Sequence, residues 1–92
     1  MITPTIHLNG TSGTDLMSQT TDAMIALSDA IKALQAAGPH GRDYYVQGDT
    51  AFRQAHEEYG ARIEKLYEVQ ADLVAISQSI YTQILESERG RK

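Results

Sequence analysis

Two long stretches of this chain repeat their apolar residues at helical spacing, and a Gly38-Pro39 pair stands between them. In the first stretch Leu16, Ala23, Leu27, Ala30, Leu34 and Ala37 step by threes and fours, with Thr20 in one slot and Met17, Met24 and Ile31 alongside at seven-residue spacing. In the second, Phe52, Ala55, Tyr59, Ile63, Leu66, Leu73, Ile76, Ile80 and Ile84 share one side. A period of 3.6 residues brings i, i+3, i+4 and i+7 onto one face, so each stretch reads as an amphipathic helix. The pattern predicts an all-α fold, a two-helix antiparallel hairpin with the longer helix second, forming one domain over residues 1–92.

Local signals set the boundaries. Residues 1–13 alternate Ile6 and Leu8 with polar neighbours and then break into Asn9-Gly10-Thr11-Ser12-Gly13, which predicts a short extended arm and a turn. Helix 1 is expected over 14–37, because Ser12 and Asp15 stand at capping-box spacing, Thr14 is a second cap candidate, and Gly38-Pro39 cannot continue a helix. A loop over 38–49 follows. Asp49 is the expected cap of helix 2, over 50–87, with residues 88–92 as a fraying tail. Gly60 lies inside helix 2 at a cost of about 1 kcal/mol relative to Ala, which predicts a close helix contact there.

A rise of 1.5 Å per residue makes helix 1 roughly 36 Å long and helix 2 roughly 57 Å. Antiparallel packing from the loop then sets Thr14 beside Leu73 and leaves Ile76, Ile80, Ile84 and Leu85 uncovered. The arm is one expected cover, since about 13 extended residues reach some 40 Å and bring Ile2, Ile6 and Leu8. The other is a second copy. At 92 residues with no cysteine, the chain is in the size range where a single core is marginal and disulfides are ruled out, so a homo-oligomer is expected.

Composition narrows the partners. Lys plus Arg number 8 against 12 Asp plus Glu, and the formal charge of −4 opposes duplex nucleic-acid binding. No apolar run approaches the roughly 20 residues of a membrane span, so no membrane partner is expected. The start MITPTIHLNG lacks the pattern of a signal peptide, which together with the missing cysteine predicts a cytoplasmic site. His7, His40 and His56 show no metal-ligand spacing, and no nucleophile stands beside a base. The expectation is a protein with no cofactor, no metal and no catalytic residue.

Binding candidates concentrate in the loop and the first turn of helix 2: His40, Arg42, Asp43, Tyr44, Tyr45 and Arg53. An arginine at the positive end of a helix dipole is misplaced by a few tenths of a kcal/mol unless an anion shares the site. Tyrosine rings can stack on a base. The competing reading pairs Arg53 with Glu57 and Arg42 with an acidic neighbour, and uses the tyrosines to plug the hairpin core. Arg62 stands at the edge of the apolar stripe, either reaching into a cleft or snorkelling along the stripe. The Asn9 to Thr14 turn is glycine-rich but lacks the lysine of a phosphate-binding loop. In an antiparallel oligomer this turn, through Asn9 and Thr11, can approach the His40 to Arg53 region of another chain and form a composite pocket.

The string Ile6-His7-Leu8-Asn9-Gly10-Thr11-Ser12, a helix, Pro39-x-Gly41-Arg42-Asp43-Tyr44-Tyr45, Gly48 and Ala51-Phe52-x-x-Ala55 with Glu58 and Arg62 resembles short hypothetical proteins of tailed phages over about residues 5–65. In size, acidity, hairpin and oligomer, the chain is similar in architecture to phage anti-defence sponges of the anti-CBASS type, which sequester nucleotide second messengers between subunits. That resemblance implies a small nucleotide-type ligand, a cyclic oligonucleotide or an ADP-ribose derivative, bound without catalysis in the cytoplasm of the infected bacterial host. It further implies that Arg42, Arg53 and Arg62 meet phosphates while Tyr44 or Tyr45 stacks on a base. The alternative is a protein-binding inhibitor of the anti-CRISPR kind, or a phage structural adaptor, with the long helix as its docking surface.

Overall fold

A computed structural model describes residues 1–90. Helix α1 covers Gly13–Ala36 and helix α2 covers Ala51–Arg89, joined through two short 3-10 turns, Gly41–Asp43 and Tyr45–Gln47. Among the described residues there is no strand, and no helix is long and apolar enough to cross a membrane. Ser12 is the N-cap of α1, its hydroxyl accepting from the Asp15 amide at 3.1 Å. Thr50, not Asp49, is the N-cap of α2, and its side chain makes no capping bond. Helical structure persists through Glu88 and Arg89, where fraying was expected; positions 91–92 of that tail lie outside the described residues.

The two helices meet along a heptad seam, the four-three alternation that keeps side chains facing a neighbouring helix. On α1 its members are Met17, Thr20, Met24, Leu27, Ile31 and Leu34; on α2 they include Tyr59, Ile63, Leu66, Gln70, Leu73, Ser77, Ile80 and Ile84. Ala23, Ala30 and Ala37, expected in the stripe, are exposed. The methyls of Ala23 and Ala30 bury less area than Met24 and Ile31 one position on, and the helix turns toward the larger gain; Ala37 lies past the last residue of α1. Thr20 and Ser77 are polar members of the seam, and each satisfies its hydroxyl on its own helix, donating to the Leu16 and Val74 carbonyls at 2.8 Å.

The expected register is overturned. A Cβ on Gly13 would meet Ile84 Cγ1 at 2.9 Å, and one on Gly38 would meet Tyr59 Cζ at 3.3 Å. Twenty-five residues separate the two glycines and twenty-five separate their partners, so one register holds from end to end. Thr14 therefore lies near Ile84 rather than Leu73, and the overhang is at the opposite end, over the first turns of α2. The cause is the connection. Its residues run back alongside the start of α2 instead of turning tightly, which moves α1 toward the C-terminal end of its partner.

The arm joins the same end. Thr3 Oγ1 and Ser79 Oγ share a hydrogen bond of 2.9 Å. Gln83 serves as a strand partner would, its Oε1 accepting from the Ile6 amide and its Nε2 donating to the Pro4 carbonyl, both at 2.8 Å. Ile6 packs toward Gly13, and Ile80 is completely buried between these contacts. Ile2 and Leu8, also expected as cover, are exposed.

The seam divides the hairpin into two sides. Ser79 and Gln83, each one residue before a seam position, carry the arm. Gln35 and Tyr67, each one residue after, meet on the other side, where Gln35 Nε2 donates to Tyr67 Oη at 3.1 Å. The molecule is a rod 68 Å long and 20 Å across.

Gly60 touches nothing, which overturns the expected close contact. Gly60→Ala is expected to stabilise the fold by about 0.5–1 kcal/mol through helix propensity. Gly13→Val, which must displace Ile6 and Ile84, is expected to destabilise by about 1–3 kcal/mol. Urea denaturation followed by far-ultraviolet circular dichroism checks both; a stabilised Gly13 variant contradicts the packing described.

Candidate functional site

Where α1 ends and the connection doubles back, a cleft of about 350 Å³ opens on the arm side of the hairpin. Its floor comes from α2, whose Ala51, Ala55, Glu58 and Arg62 follow one another by four, three and four residues on a single helical face. Leu34 and Ala37 close one wall, and Pro39, Tyr44 and Gln47 close the other. Gln54 and Tyr59 complete it.

The connection shapes this wall through its own hydrogen bonds. His40 caps the first 3-10 turn, its Nδ1 accepting from the Arg42 amide at 3.3 Å. The Tyr44 amide donates to the Gly41 carbonyl at 3.1 Å, and the Gln47 amide to the Tyr44 carbonyl at 3.0 Å. Gly48 then reverses the chain at φ 111° and ψ 170°, a conformation essentially confined to glycine. Successive 3-10 turns send the two tyrosines different ways. Tyr44 is half-buried with its ring centroid 6.3 Å from that of Phe52, whereas Tyr45 is 74 % exposed. From Phe52 the aromatic series continues to His56 at 6.0 Å and from His56 to Tyr59 at 6.1 Å.

The expected cluster is thus divided. Tyr44 and Arg62 line the cleft; His40, Arg42, Tyr45 and Arg53 do not. Nine residues separate Arg53 from Arg62, which at 100° per residue is half a turn, so the two guanidinium groups leave opposite sides of α2. Asn9 and Thr11 lie at the far end of α1, roughly 36 Å away along its axis, in a turn where the Gly10 amide donates to the His7 carbonyl at 3.1 Å. A second concavity there is lined by His7, Gly10, Ser12 and Thr14 together with Gln83 and Glu88, and neither Asn9 nor Thr11 borders it. Neither of these two concavities joins the two polar ends.

Gln47, Gln54, Glu58 and Tyr59 enter the cleft without having been singled out. For Gln54, Glu58 and Tyr59 a signal existed in their helical spacing relative to Arg62; for Gln47 there was none, since an irregular connection has no period. The lining offers two phenol rings, two carboxamides and one guanidinium with a carboxylate one turn away. Such a set can stack on a planar group, read donors and acceptors on its edge, and hold one anionic substituent. No nucleophile with a base lines it, and among the described residues no three His, Cys, Asp or Glu side chains are grouped to hold a metal.

Tyr44→Ala is expected to cost about 1–2 kcal/mol of stability, through lost apolar burial and the lost ring pair. Tyr45→Ala is expected to stay within about 0.5 kcal/mol of the parent. The two urea midpoints test this, and equal losses contradict the inward and outward assignment. Comparison of the chain with family models, with curated proteins and with solved structures gives no match.

Proposed function

We propose that the chain is a phage anti-defence protein that binds a nucleotide-type immune signal in the Tyr44, Tyr59 and Arg62 cleft and withholds it without catalysis. The observation that carries this reading is the pairing of two tyrosine rings with an arginine in one concavity. Its volume of about 350 Å³ suits one base and its sugar and is at the small end of ligand sites. An ADP-ribose derivative or one arm of a cyclic oligonucleotide fits that scale. Tyr44 or Tyr59 stacks on the base, the carboxamides of Gln47 and Gln54 meet its edge, and Arg62 takes a phosphate. The start of α2, which has no acidic residue in its first turn and no side-chain cap, adds a positive dipole end beside Ala51 in the floor.

The homo-oligomer belongs to this proposal, and its basis has moved. The isoleucines once expected to need a second copy are partly or wholly covered by the arm and by α1. What supports assembly now is surface: the chain exposes 7006 Å², whereas a compact folded monomer of 10.1 kDa exposes about 5,300 Å². The same excess favours the second reading, an inhibitor or adaptor that docks a protein along the rod. The compact-monomer comparison points the same way in dimension, with a radius of gyration of 19.8 Å against about 12 Å for a compact chain of this length.

Calorimetric titration with cyclic di- and trinucleotides and with ADP-ribose derivatives separates the two. The expected result is saturable binding that Arg62→Ala and Tyr44→Ala weaken at least about tenfold, that Arg53→Ala leaves unchanged, and that releases the nucleotide intact by mass spectrometry. No binding to any nucleotide, with a host protein retained in a pull-down, overturns the sponge and supports the adaptor.

A further inference from the structure

The helices expose six large apolar side chains: Ile25, Tyr67, Val69, Val74, Tyr81 and Leu85. Five of the six occupy positions one residue after a seam residue (Met24, Leu66, Leu73, Ile80 and Ile84 in turn), which places them on the side that carries neither arm nor cleft. Only Val69, one residue before Gln70, lies on the arm side. On α2 the stripe runs Tyr67, Ala71, Val74, Gln78, Tyr81 and Leu85 in steps of four and three, the same alternation as the seam that α1 already fills. A heptad-spaced row is the surface that another helix covers.

From this stripe we infer that α2 is the dimer interface of this protein, two copies packing antiparallel across the bare side with the two-fold axis at Val74. The symmetry of the stripe selects a second copy as the occupant, and two further observations show that such a copy has surface to bind. First, an isologous interface must be complementary to itself, and the two rings of the stripe stand symmetrically about Val74, Tyr67 and Tyr81 each seven residues away. Antiparallel packing sets Tyr67 of one copy against Tyr81 of the other and leaves Ala71 and Gln78 between the large side chains. Second, the rings are available, Tyr67 being 47 % and Tyr81 55 % exposed. Third, the surface in excess of a compact monomer, about 1,700 Å², exceeds the roughly 800 Å² per partner of a standard interface. Ile25, level with Asp72 in the hairpin register and so two residues from Val74, widens the patch onto α1. The cleft stays open on the outer side of such a dimer, so the inference does not depend on which ligand, if any, the cleft binds.

A chain without cysteine gives a direct test. Val74→Cys, the only stripe position that meets its own copy on the axis, is expected to form a covalent dimer on mild oxidation at micromolar concentration, whereas Val69→Cys on the arm side is expected to remain uncrosslinked. Sedimentation equilibrium of the parent chain is expected to give twice the 10.1 kDa protomer mass. Val74→Glu is expected to raise the dissociation constant at least about tenfold with helical circular dichroism retained. A parent chain that stays monomeric through the micromolar range overturns the inference. So does a dimer crosslinked through Val69→Cys and not through Val74→Cys.

Discussion

The single register between α1 and α2 is the constraint on which the rest of this structure depends. Gly13 against Ile84 and Gly38 against Tyr59 are its two ends, and both are places where a missing side chain lets the chain come close. Between them the seam members fall into level pairs: Met17 with Ile80, Met24 with Leu73, Ile31 with Leu66, Leu34 with Ile63. Because α1 is drawn fully toward the C-terminal end of α2, the arm meets α2 just where α1 begins. The same shift leaves the first turns of α2 for the connection to cover. The deep burial of Ile80 and the cleft at the other end are two results of one offset.

A two-helix seam buries little. Among the described residues only Ile31 and Ile80 count as buried, and Ile80 alone completely, because each helix meets its neighbour along one stripe and presents the rest to water. The protein compensates through specific devices at its ends. Gln83 bonds to the arm backbone on both sides of Thr5, Ser12 caps α1, and the aromatic series from Tyr44 to Tyr59 closes the loop end. Local opening is expected to begin at the rod's ends if those devices are lost, since the seam itself has few neighbours to hold it. The polar pair Thr20 and Ser77 fits the same logic: bonded within their own helices, they cost no unsatisfied group and help mark the pairing.

The proposed ligand and the proposed second copy divide along the seam as the packing does. The arm and the cleft share one side of the hairpin; the apolar stripe through Val74 has the other. A ligand on the first side and a second copy on the second do not compete for surface, so one slender hairpin has room for both. The price of that arrangement is the dispersal of the basic residues. Arg42 and Arg53 stay in solvent, and Arg62 alone brings positive charge to the cleft, where Glu58 stands one turn away. The anionic ligand proposed for the cleft would be held chiefly by one guanidinium, the tyrosine faces and the exposed helix start.

Residues alone determined that this chain forms two helices and where they begin and end to within about two positions, and they offered an N-terminal arm as one cover for the far end of α2. Those features follow from periodicity, capping and chain length, each of which acts locally. The half-turn between Arg53 and Arg62 also needs only the pitch of a helix, although the resemblance had grouped both arginines on one ligand. Tertiary structure decided the register, because the fourteen residues between Ala36 and Ala51 permit many offsets and only packed side chains choose among them. It also decided which tyrosine faces inward, since irregular turns carry no period to read. The cleft belongs to this second class: it exists only where the offset of two helices and the path of a loop coincide.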